Sequence, residues 1–365
     1  MYRIEYVLSE VPARREIKNI FKYGGKDMVN VGIIGAGRIG KVHTQGIITG
    51  VRNAKIKTIA DPFMNDDTAA WIHSMDSSIA VTKDYKEILA DEEIDAVIIC
   101  SSTDTHSPLS VEAIKAGKHV FCEKPIDHDI DKIKEVIDAL KESNVKYQVG
   151  FNRRFDHNFK AVKDAVVAGK IGDPHIIKIT SRDPEPPSPA YVAVSGGMFL
   201  DMTIHDFDMV RFLAGCDATE VYVQSAVLVD KGIGEAGDVD TAVITLKMEN
   251  GAIAVIDNSR KAVYGYDQRA EVFGSGGMVA TRNDSLSTAV ISNADGVTGE
   301  KPLYFFLERY MDSFREEMNQ FIDAIENDTD TPLGVMDGLK PVLMGLATKK
   351  SVEEHRPVAI SEIMM

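Results

Sequence analysis

Two short segments of the sequence carry polar residues that suit proton and charge chemistry. The segment FCEKP presents Lys124 directly before a proline, and the segment DMTIHDFD contains Asp201 and His205 four residues apart. On a helix this spacing places both side chains on one face, and Asp208 continues that face three residues later. A carboxylate beside an imidazole sets its orientation and tunes its basicity, so the pair is a candidate site of proton transfer.

Oxidation of an alcohol is a reaction that these residue types could support. It requires a hydride acceptor, a base for the hydroxyl proton and a cation near the developing alkoxide. His205 is the candidate base and Lys124 the candidate cation. Each also has an ordinary alternative, because an acid and a histidine on one helix face often form a solvated ion pair and a lysine before proline is often a loop residue. The interpretation therefore depends on a cofactor site elsewhere in the chain.

The segment GAGRIG has the spacing and the surroundings of a dinucleotide-binding turn. It follows the apolar run VNVGII and opens the helical pattern RIGKVHTQGII, a context that makes this short motif specific. Gly35 permits the tight turn, Gly37 lets the backbone approach a pyrophosphate, and Gly40 lets the helix pack on the strand. Arg38 and Ile39 open the helix, whose N-terminal N–H groups and dipole attract a phosphate.

Asp61 ends the next predicted strand, about 20 residues further along the chain, and it selects the type of dinucleotide. A carboxylate at this point accepts hydrogen bonds from the adenosine ribose hydroxyls and repels a 2′-phosphate. The following Pro62 and Phe63 offer no arginine to receive such a phosphate. The sequence therefore favours NAD over NADP as the cofactor.

The first half of the chain has the pattern of a doubly wound parallel sheet. Short β-branched runs alternate with helical patterns, and the predicted strands are residues 30–34, 56–60, 96–100, 119–122 and 146–149. Ligands of such sheets bind beyond the carboxyl ends of the strands, which is where Glu123 and Lys124 stand. The bond between Lys124 and Pro125 can also be cis at modest cost, which would fix the direction of the lysine.

The second half of the chain predicts an α+β domain. A helix over residues 156–168 and a strand over 175–180 precede a proline-rich loop, and one helix then carries Asp201 and His205. The runs EVYVQSAVLV, TAVITLKM, AIAVIDNS and RAEVFGS predict a largely antiparallel sheet with helices on one face, and two helices close the chain at residues 305–325 and 336–353. The predicted divisions are a 1–28 extension, a 29–151 NAD-binding domain and a 152–365 domain for substrate binding and oligomerisation.

The extension before Met28 lacks the apolar core and the cleavage site of a signal peptide. Translation starting at Met28 is one hypothesis, since Gly24 and Gly25 can be encoded by a ribosome-binding sequence. A short helical extension is the other.

Composition narrows the classes of partner. The 365 residues are 44% hydrophobic and carry a formal net charge of −15, and no Lys/Arg stripe interrupts the acidic background. Nucleic acid and membrane surfaces are therefore not expected as partners, and a neutral small molecule fits better. Cys100, Cys122 and Cys216 form no CxxC pair and lie in apolar stretches, which is typical of buried reduced thiols and of a cytoplasmic protein.

At these residues the chain resembles the Gfo/Idh/MocA family of oxidoreductases, in which a Rossmann domain precedes a domain built on an open antiparallel sheet. The resemblance runs from residue 29 to the C-terminus through GAGRIG, AIKAGKHVFCEKP, VGFNRRFD and SGGMFLDMTIHDFDMVRFL. Within the family, FNRRFD, ITSRDPEPP, DMTIHDFD and YGYDQRAEVFGS are similar to inositol 2-dehydrogenases, which convert myo-inositol to scyllo-inosose with NAD. The 1–28 extension has no counterpart in the family.

The resemblance implies that Lys124, Asp201 and His205 are the catalytic lysine, aspartate and histidine. His205 would be the general base, Lys124 would tune the base and the alkoxide, and Asp201 would orient them. The same three residues would also contact the substrate.

The resemblance further implies a pocket for a polyol or sugar that includes Arg154, Asp183 and Tyr264. A polyol has many equivalent hydroxyls, so its recognition needs a ring of charged and hydroxyl side chains. Arg154 could instead only pair with Asp156, and Tyr264 could only cap a strand.

On the cofactor side the resemblance implies contacts from residues that follow the strand VIIC, although His106 could equally have no ligand role. The complete set of predicted cofactor contacts is Gly35, Gly37, Arg38, Ile39, Gly40, Asp61, Ser101, Thr103, His106, Glu123, Lys124 and Asn152. No metal is expected, and the family is commonly oligomeric, which implies a dimer or tetramer.

Three other functions remain open from the sequence. The first is a dehydrogenase for another inositol isomer or a sugar. The second is an NAD-dependent glycosidase on the same fold, which releases hydrolysed product without net NADH. The third is a non-catalytic NAD-binding regulator, against which the presence of both Lys124 and His205 argues.

Overall fold

The structure is a computed structural model that describes residues 28–363. The extension predicted at residues 1–28 therefore lies, except for Met28, outside the described residues, and so do the two hypotheses about it. Among the described helices, none combines the length and the apolar character needed to cross a membrane.

The first sheet has six parallel strands in the order β3-β2-β1-β4-β5-β6. The strands are β1 (Val29–Ile34), β2 (Ala54–Ala60), β3 (Ala80–Thr82), β4 (Ala96–Ile99), β5 (His119–Glu123) and β6 (Tyr147–Gly150). The crossover helices are α1 (Arg38–Gly50), α2 (Asp66–Met75), α3 (Lys86–Ala90), α4 (Thr103–Lys115) and α5 (Ile130–Lys141). This confirms the predicted doubly wound sheet.

All five predicted strands are present, and the structure adds β3 at the edge. Strand β4 is buried along its whole length, as expected for a strand covered on both faces. Strand β3 has only three residues, of which Ala80 is exposed and the others are half-buried. It therefore lacks the long apolar run by which the other strands could be predicted.

The second sheet has seven strands in the order β12-β11-β7-β10-β9-β8-β15, all antiparallel except the parallel pair β7 and β10. The strands are β7 (Pro174–Arg182), β8 (Ala218–Ala226), β9 (Thr241–Met248), β10 (Ile253–Ser259), β11 (Asp267–Gly274), β12 (Gly277–Ala280) and β15 (Val358–Ala359). A separate hairpin joins β13 (Val290–Asn293) and β14 (Gly296–Gly299). The predicted mostly antiparallel sheet is confirmed.

Eight further helices follow α5 in the described part of the chain. They are α6 (His157–Val167), α7 (Pro189–Ser195), α8 (Gly197–Asp201), α9 (Thr203–Ala214), α10 (Lys231–Glu235), α11 (Phe306–Arg309), α12 (Met311–Asn327) and α13 (Val335–Glu354), with short 3-10 helices at Asn152–Phe155 and Ile360–Ile363. Helices α9 and α13 pack on one face of the sheet. Strand β9 shows why: its residues alternate between buried and outward positions, as the period of a half-covered strand requires.

Helix α12 returns from the second half of the chain to the first sheet. Met318, Phe321 and Ile322 belong to the same buried cluster as strand residues of β1, β2 and β4. Residues of α12 therefore complete the core around the first sheet, although they come after the domain boundary predicted at residues 151/152. That boundary stays a prediction.

Candidate active site

A cavity of about 1050 Å³ opens at the carboxyl ends of β4 and β5, beside the start of α1 and the helices α7 to α9. Such a position is where doubly wound sheets bind ligands. The cavity brings Lys124, Asp201 and His205 together from segments far apart in the chain. The other predicted site residues that line it are Arg38, Ile39, Ser101, Thr103, His106, Glu123, Asn152 and Asp183.

Lys124 and Asp201 form the polar centre of the cavity. The Lys124–Pro125 bond is cis, the geometry that the sequence allowed. Lys124 Nζ donates to the backbone oxygen of Asp201 at 2.8 Å and lies 3.5 Å from its Oδ1. Tyr191 and Arg260 also donate to this carboxylate, at 3.1 and 3.3 Å. Burial opposes ionisation, but Lys124 and Arg260 outweigh it and lower the pKa of Asp201.

His205 is a neutral imidazole at the wall of the same cavity. Its Nδ1 is buried and has no hydrogen-bond partner within residues 28–363, and its ring packs edge-on against Phe151 with the centroids 6.0 Å apart. Burial, followed by the positive charges of Lys124 and Arg153, lowers the pKa of His205 well below its usual value. The ring is therefore unprotonated at neutral pH and able to accept a proton.

The single helix predicted to carry Asp201 and His205 is interrupted in the structure. Asp201 ends α8, Met202 separates the two helices, and His205 lies in the first turn of α9. Gly196 and Gly197, with φ of 86° and 75°, turn the chain between α7 and α8. Within the described residues no hydrogen bond joins Asp201 to His205, so the carboxylate orients Lys124 rather than the imidazole.

The glycine motif has the geometry of a phosphate cradle. Gly35 has φ of 103°, and a Cβ there would lie 2.7 Å from the backbone of Cys100. A Cβ on Gly40 would lie 1.9 Å from the oxygen of Gly35, whereas a Cβ on Gly37 would meet no described atom within 4 Å. The first and third glycines thus serve close packing, and the second keeps space free before the start of α1. A dinucleotide pyrophosphate fits this arrangement.

Asp61 lies directly after β2 and supports the same turn. Its Oδ2 accepts a hydrogen bond from the backbone N–H of Ala36 at 2.7 Å, and its Oδ1 accepts one from Phe63 at 2.8 Å. A carboxylate has about four acceptor positions, so Asp61 can still accept bonds from ribose hydroxyls. The neighbouring Pro62 and exposed Phe63 supply no cation.

Comparison with known proteins identifies the family. Residues 29–151 match the model of an oxidoreductase family with an NAD-binding Rossmann fold, and residues 159–280 match the GFO/IDH/MocA C-terminal domain.

The chain belongs to the Gfo/Idh/MocA oxidoreductase family. It is 50% identical to the uncharacterised oxidoreductase YrbE of Bacillus subtilis over 90% of this chain and 96% of that protein. It is 47% identical to the myo-inositol 2-dehydrogenase of Thermotoga maritima over 92% of this chain and all of that protein. Its fold matches the Lactobacillus casei scyllo-inositol dehydrogenase, solved with NAD(H) and scyllo-inositol, with a TM-score of 0.83 at 30% identity over 92% and 99% of the two chains.

These findings confirm that the protein is an NAD-dependent dehydrogenase of this family.

Three further residues that were not predicted from the sequence line the same cavity, namely Arg153, Arg260 and Tyr310. Arg260 is buried and binds Asp183 at 3.2 Å as well as Asp201, while Arg153 binds the buried Asp206 at 2.6 Å. Burial raises the pKa of Asp183 and raises that of Asp206 to about 6, although the arginines oppose both shifts.

Tyr310, the third of these residues, has a buried hydroxyl without a hydrogen-bond partner in the described chain. Burial raises its pKa to about 12 against the opposing effect of Arg153 and Arg309. A buried, unpaired hydroxyl at the cavity wall is suited to a hydroxyl of a ligand. The sequence offered no signal for it, because a lone tyrosine before an amphipathic helix is an ordinary core residue.

Two predicted substrate residues are not brought into the cavity. Arg154 points away and pairs with Asp208 and Asp337, not with Asp156. The 3-10 helix that contains both arginines directs Arg153 inward instead, which spacing alone could not decide. Tyr264 donates to Asp267 and lines a neighbouring open groove, while Tyr266 lines the cavity.

The predicted cofactor contacts that follow β4 differ in how far their polar atoms are already hydrogen-bonded within the protein. Ser101 and Thr103 lie at the cavity wall. His106 has its Nδ1 2.8 Å from the oxygen of Pro125 and its Nε2 3.0 Å from that of Ser101, so both ring nitrogens are already used. Burial opposes protonation, but Cys122 and these two carbonyl groups raise the pKa of His106 to about 9. Asn152 Nδ2 donates to Ser313 on α12 at 3.2 Å.

Proposed function

We propose that this dehydrogenase oxidises a ring hydroxyl of myo-inositol to the ketone scyllo-inosose with NAD. The observation that carries the proposal is the cavity that joins Lys124, Asp201 and His205 to the charged and hydroxyl side chains of Arg153, Asp183 and Tyr310. The relatives named for inositol oxidation support the choice of an inositol. A cyclic polyol without charge also suits a chain of net charge −15.

The reaction removes a hydride and a proton from one C–OH group and leaves a ketone. NAD, when bound, supplies the hydride acceptor. His205 accepts the hydroxyl proton at an imidazole nitrogen, which its neutral state permits. Lys124 stabilises the negative charge that develops on the substrate oxygen. Asp201 orients the ammonium group of Lys124.

Recognition of the ring requires partners for the hydroxyls that do not react. Asp183 can accept hydrogen bonds, Tyr310 can donate or accept one, and Arg153 can only donate. The hydroxyl of Tyr310 discriminates against a ligand that lacks the matching hydroxyl, because it would then remain buried without a partner in the described chain. We therefore expect a narrow choice among ring polyols.

A screen of inositol isomers and hexoses with purified protein tests this function. NADH formation is followed by absorbance, with NAD and NADP compared on the best substrate. We expect the highest kcat/KM with myo-inositol and NAD, much lower values with glucose, and lower values with NADP because Asp61 repels a 2′-phosphate.

Other results of the same screen would identify the alternatives. Preference for scyllo-inositol or a hexose would retain the reaction and replace the substrate. Hydrolysis of a glycoside without net NADH would indicate the glycosidase, and NAD binding without turnover of any compound would contradict a catalytic function. We also propose a cytoplasmic location, because Cys100, Cys122 and Cys216 are free thiols.

A further inference from the structure

A buried cluster beneath the catalytic lysine contains two carboxyl groups that the mechanism above does not use. His43 on α1, Glu123 at the end of β5 and Glu317 on α12 have side-chain nitrogen and oxygen atoms within 4.8 Å of one another. His43 and Glu317 are 1% and 0% exposed, and Glu123 is 7% exposed where it reaches the cavity wall. The cluster thus connects three elements directly behind Lys124.

Glu123 is the best-supported carboxylate of the cluster. Its Oε1 lies 2.7 Å from His43 Nε2, and its Oε2 accepts the backbone N–H of Lys124 at 3.3 Å. The Nδ1 of His43 is buried and has no partner in the described chain. A carboxylate only accepts hydrogen bonds, so His43 Nε2 is the donor of this pair and Glu123 Oε1 the acceptor.

Glu317 has no such support. Neither of its carboxyl oxygens has a hydrogen-bond partner among the described residues, although the side chain is fully buried. Its backbone is nevertheless held in place, because Gln148 on β6 donates to the oxygen of Glu317 at 2.9 Å. A second ionised carboxylate here would face Glu123 in a poorly hydrated space, a situation that proteins relieve by protonating one of the two acids.

We propose that Glu317 is held as a neutral carboxylic acid and is a positioning residue that, with His43, fixes the single carboxylate of Glu123 beside Lys124. The O–H of Glu317 donates toward Glu123, either after rotation of the side chain or through one buried water. Because Glu123 precedes Lys124 and lines the cavity, this arrangement sets both the backbone position of the lysine and the negative charge at the nicotinamide end of the site. Of the experiments that test this inference, only the kinetic one depends on the proposed function.

The electrostatic surroundings agree with this assignment. Burial and then the charge of Glu123 raise the pKa of Glu317 well above its ordinary value. The thiol of Cys100 is a further titratable group that interacts electrostatically with both Glu123 and Glu317. Burial raises the pKa of Cys100 well above its ordinary value, so this thiol adds no charge, and the ammonium group of Lys124 is engaged by Asp201.

The protonation state can be measured without any assay of activity. Infrared difference spectra are recorded between the wild-type protein and E317Q, with E316Q as a control at the exposed neighbouring glutamate. We expect the wild-type minus E317Q spectrum at pH 7.5 to contain the C=O stretch of a protonated carboxyl group, and the control difference to lack it. Carboxylate bands in place of the C=O stretch would overturn the proposal.

Stability provides a second measurement that does not depend on the substrate. Above about pH 4.5 the glutamate of the unfolded chain loses its proton while the folded one keeps it, so wild-type stability falls as pH rises through this window. E317Q lacks this dependence, and its stability relative to wild type should increase between pH 5 and pH 8. A difference that stays constant with pH would contradict a neutral Glu317.

Kinetics and metal analysis complete the test. E317L should lower kcat about tenfold, the effect of losing one hydrogen bond to a charged group, whereas E317Q keeps a donor and should stay within about threefold of wild type. Equal losses in both variants would oppose the positioning role. One equivalent of divalent metal in the wild-type protein that is absent from E317Q would also overturn the proposal, since the cluster would then be a metal site.

Discussion

At the scale of single residues, His205 combines two properties that a base for alcohol oxidation needs. It stands at the cavity wall, and its pKa is lowered well below 6.5 by burial and by Lys124 and Arg153. The imidazole is therefore already neutral at physiological pH, and the positive charges near it also disfavour its protonated form. The oxidation releases one proton overall, so higher pH shifts the equilibrium toward the ketone and NADH.

The first prediction concerns the pH dependence of turnover. The acid limb of kcat/KM should lie below pH 6.5, because His205 remains unprotonated until more acidic pH.

The variants H205A and K124A should lower kcat about 10²- to 10⁴-fold while NAD still binds, as loss of an acid–base group does. H157A, at a histidine whose side chain is 66% exposed, is the matched control and should keep full activity. Normal turnover by H205A would remove this residue from the mechanism.

His205 also links stability to pH with a defined sign. The folded imidazole stays neutral, whereas in the unfolded chain it takes up a proton near pH 6.5. Its contribution is thus present above that pH and is lost as pH falls. Urea midpoints at pH 7.5 and 5.5 should decline more steeply for wild type than for H205Q.

The adjacent arginines lead to the second prediction. Arg154 neutralises the buried Asp208, so R154M should lose about 3 kcal/mol of stability. This loss is near the lower end for a broken buried ion pair, because Arg211 remains close to Asp208. Its KM for the polyol should stay near the wild-type value. R153M should lose stability for the same reason, through Asp206, and should in addition raise this KM. Thermal unfolding and steady-state kinetics on both variants separate a residue that only stabilises the fold from one that also binds the polyol. A raised KM in R154M but not in R153M would show that Arg154, not Arg153, binds the polyol.

At the scale of elements, the turn between β1 and α1 separates packing from ligand binding. Gly40 must be small because the helix lies against the turn, while Gly37 faces space that no described atom fills. Both glycines belong to one motif, but the tertiary contacts show that an added methyl group would act differently at each. At Gly40 it would collide with the protein backbone, and at Gly37 it would fill space that is open to a ligand.

The third prediction uses this contrast. G37A should fold with nearly unchanged stability but bind NAD about tenfold more weakly, since the added methyl group blocks the approach of the pyrophosphate. G40A should lose about 1–3 kcal/mol because its methyl group collides with the oxygen of Gly35. NAD titration and thermal unfolding of the two variants provide the comparison. NAD affinity unchanged in G37A would show that the cradle lies elsewhere.

At the scale of the whole molecule, the second sheet has one face that no helix within residues 28–363 covers. Helices α9 and α13 cover the other face. The uncovered face presents four large apolar side chains from neighbouring strands, namely Ile176, Val243, Ile253 and Phe273, each 44–52% exposed. Exposed apolar patches of this kind commonly mark subunit interfaces. We propose that this face joins two copies of the chain, as the expected dimer or tetramer requires.

The fourth prediction tests that assembly. The double variant I253E/F273E should shift the protein toward monomer in light scattering after size-exclusion chromatography, because a stable interface buries about 1,200–2,000 Å² and does not tolerate buried unpaired charges. V167E changes an exposed residue of α6 and serves as the control. A wild-type protein that is already monomeric would reject the interface.

The sequence by itself determined the parts of this protein that depend on local pattern. Strand and helix periodicity predicted both sheets, and the glycine spacing with Asp61 predicted the NAD turn, because side-chain direction along a strand and backbone freedom at glycine are local properties. The candidate site residues Lys124, Asp201 and His205 could be selected because their types and motifs are unusual.

Only the tertiary structure decided how distant segments meet. It broke the helix between Asp201 and His205, turned Arg153 inward in place of Arg154, and brought Glu317 from α12 behind Glu123. These outcomes depend on which side chains share a buried, weakly hydrated space. Such proximity follows from the packing of elements that are distant in the chain, such as β5 and α12, and no spacing within one segment encodes it.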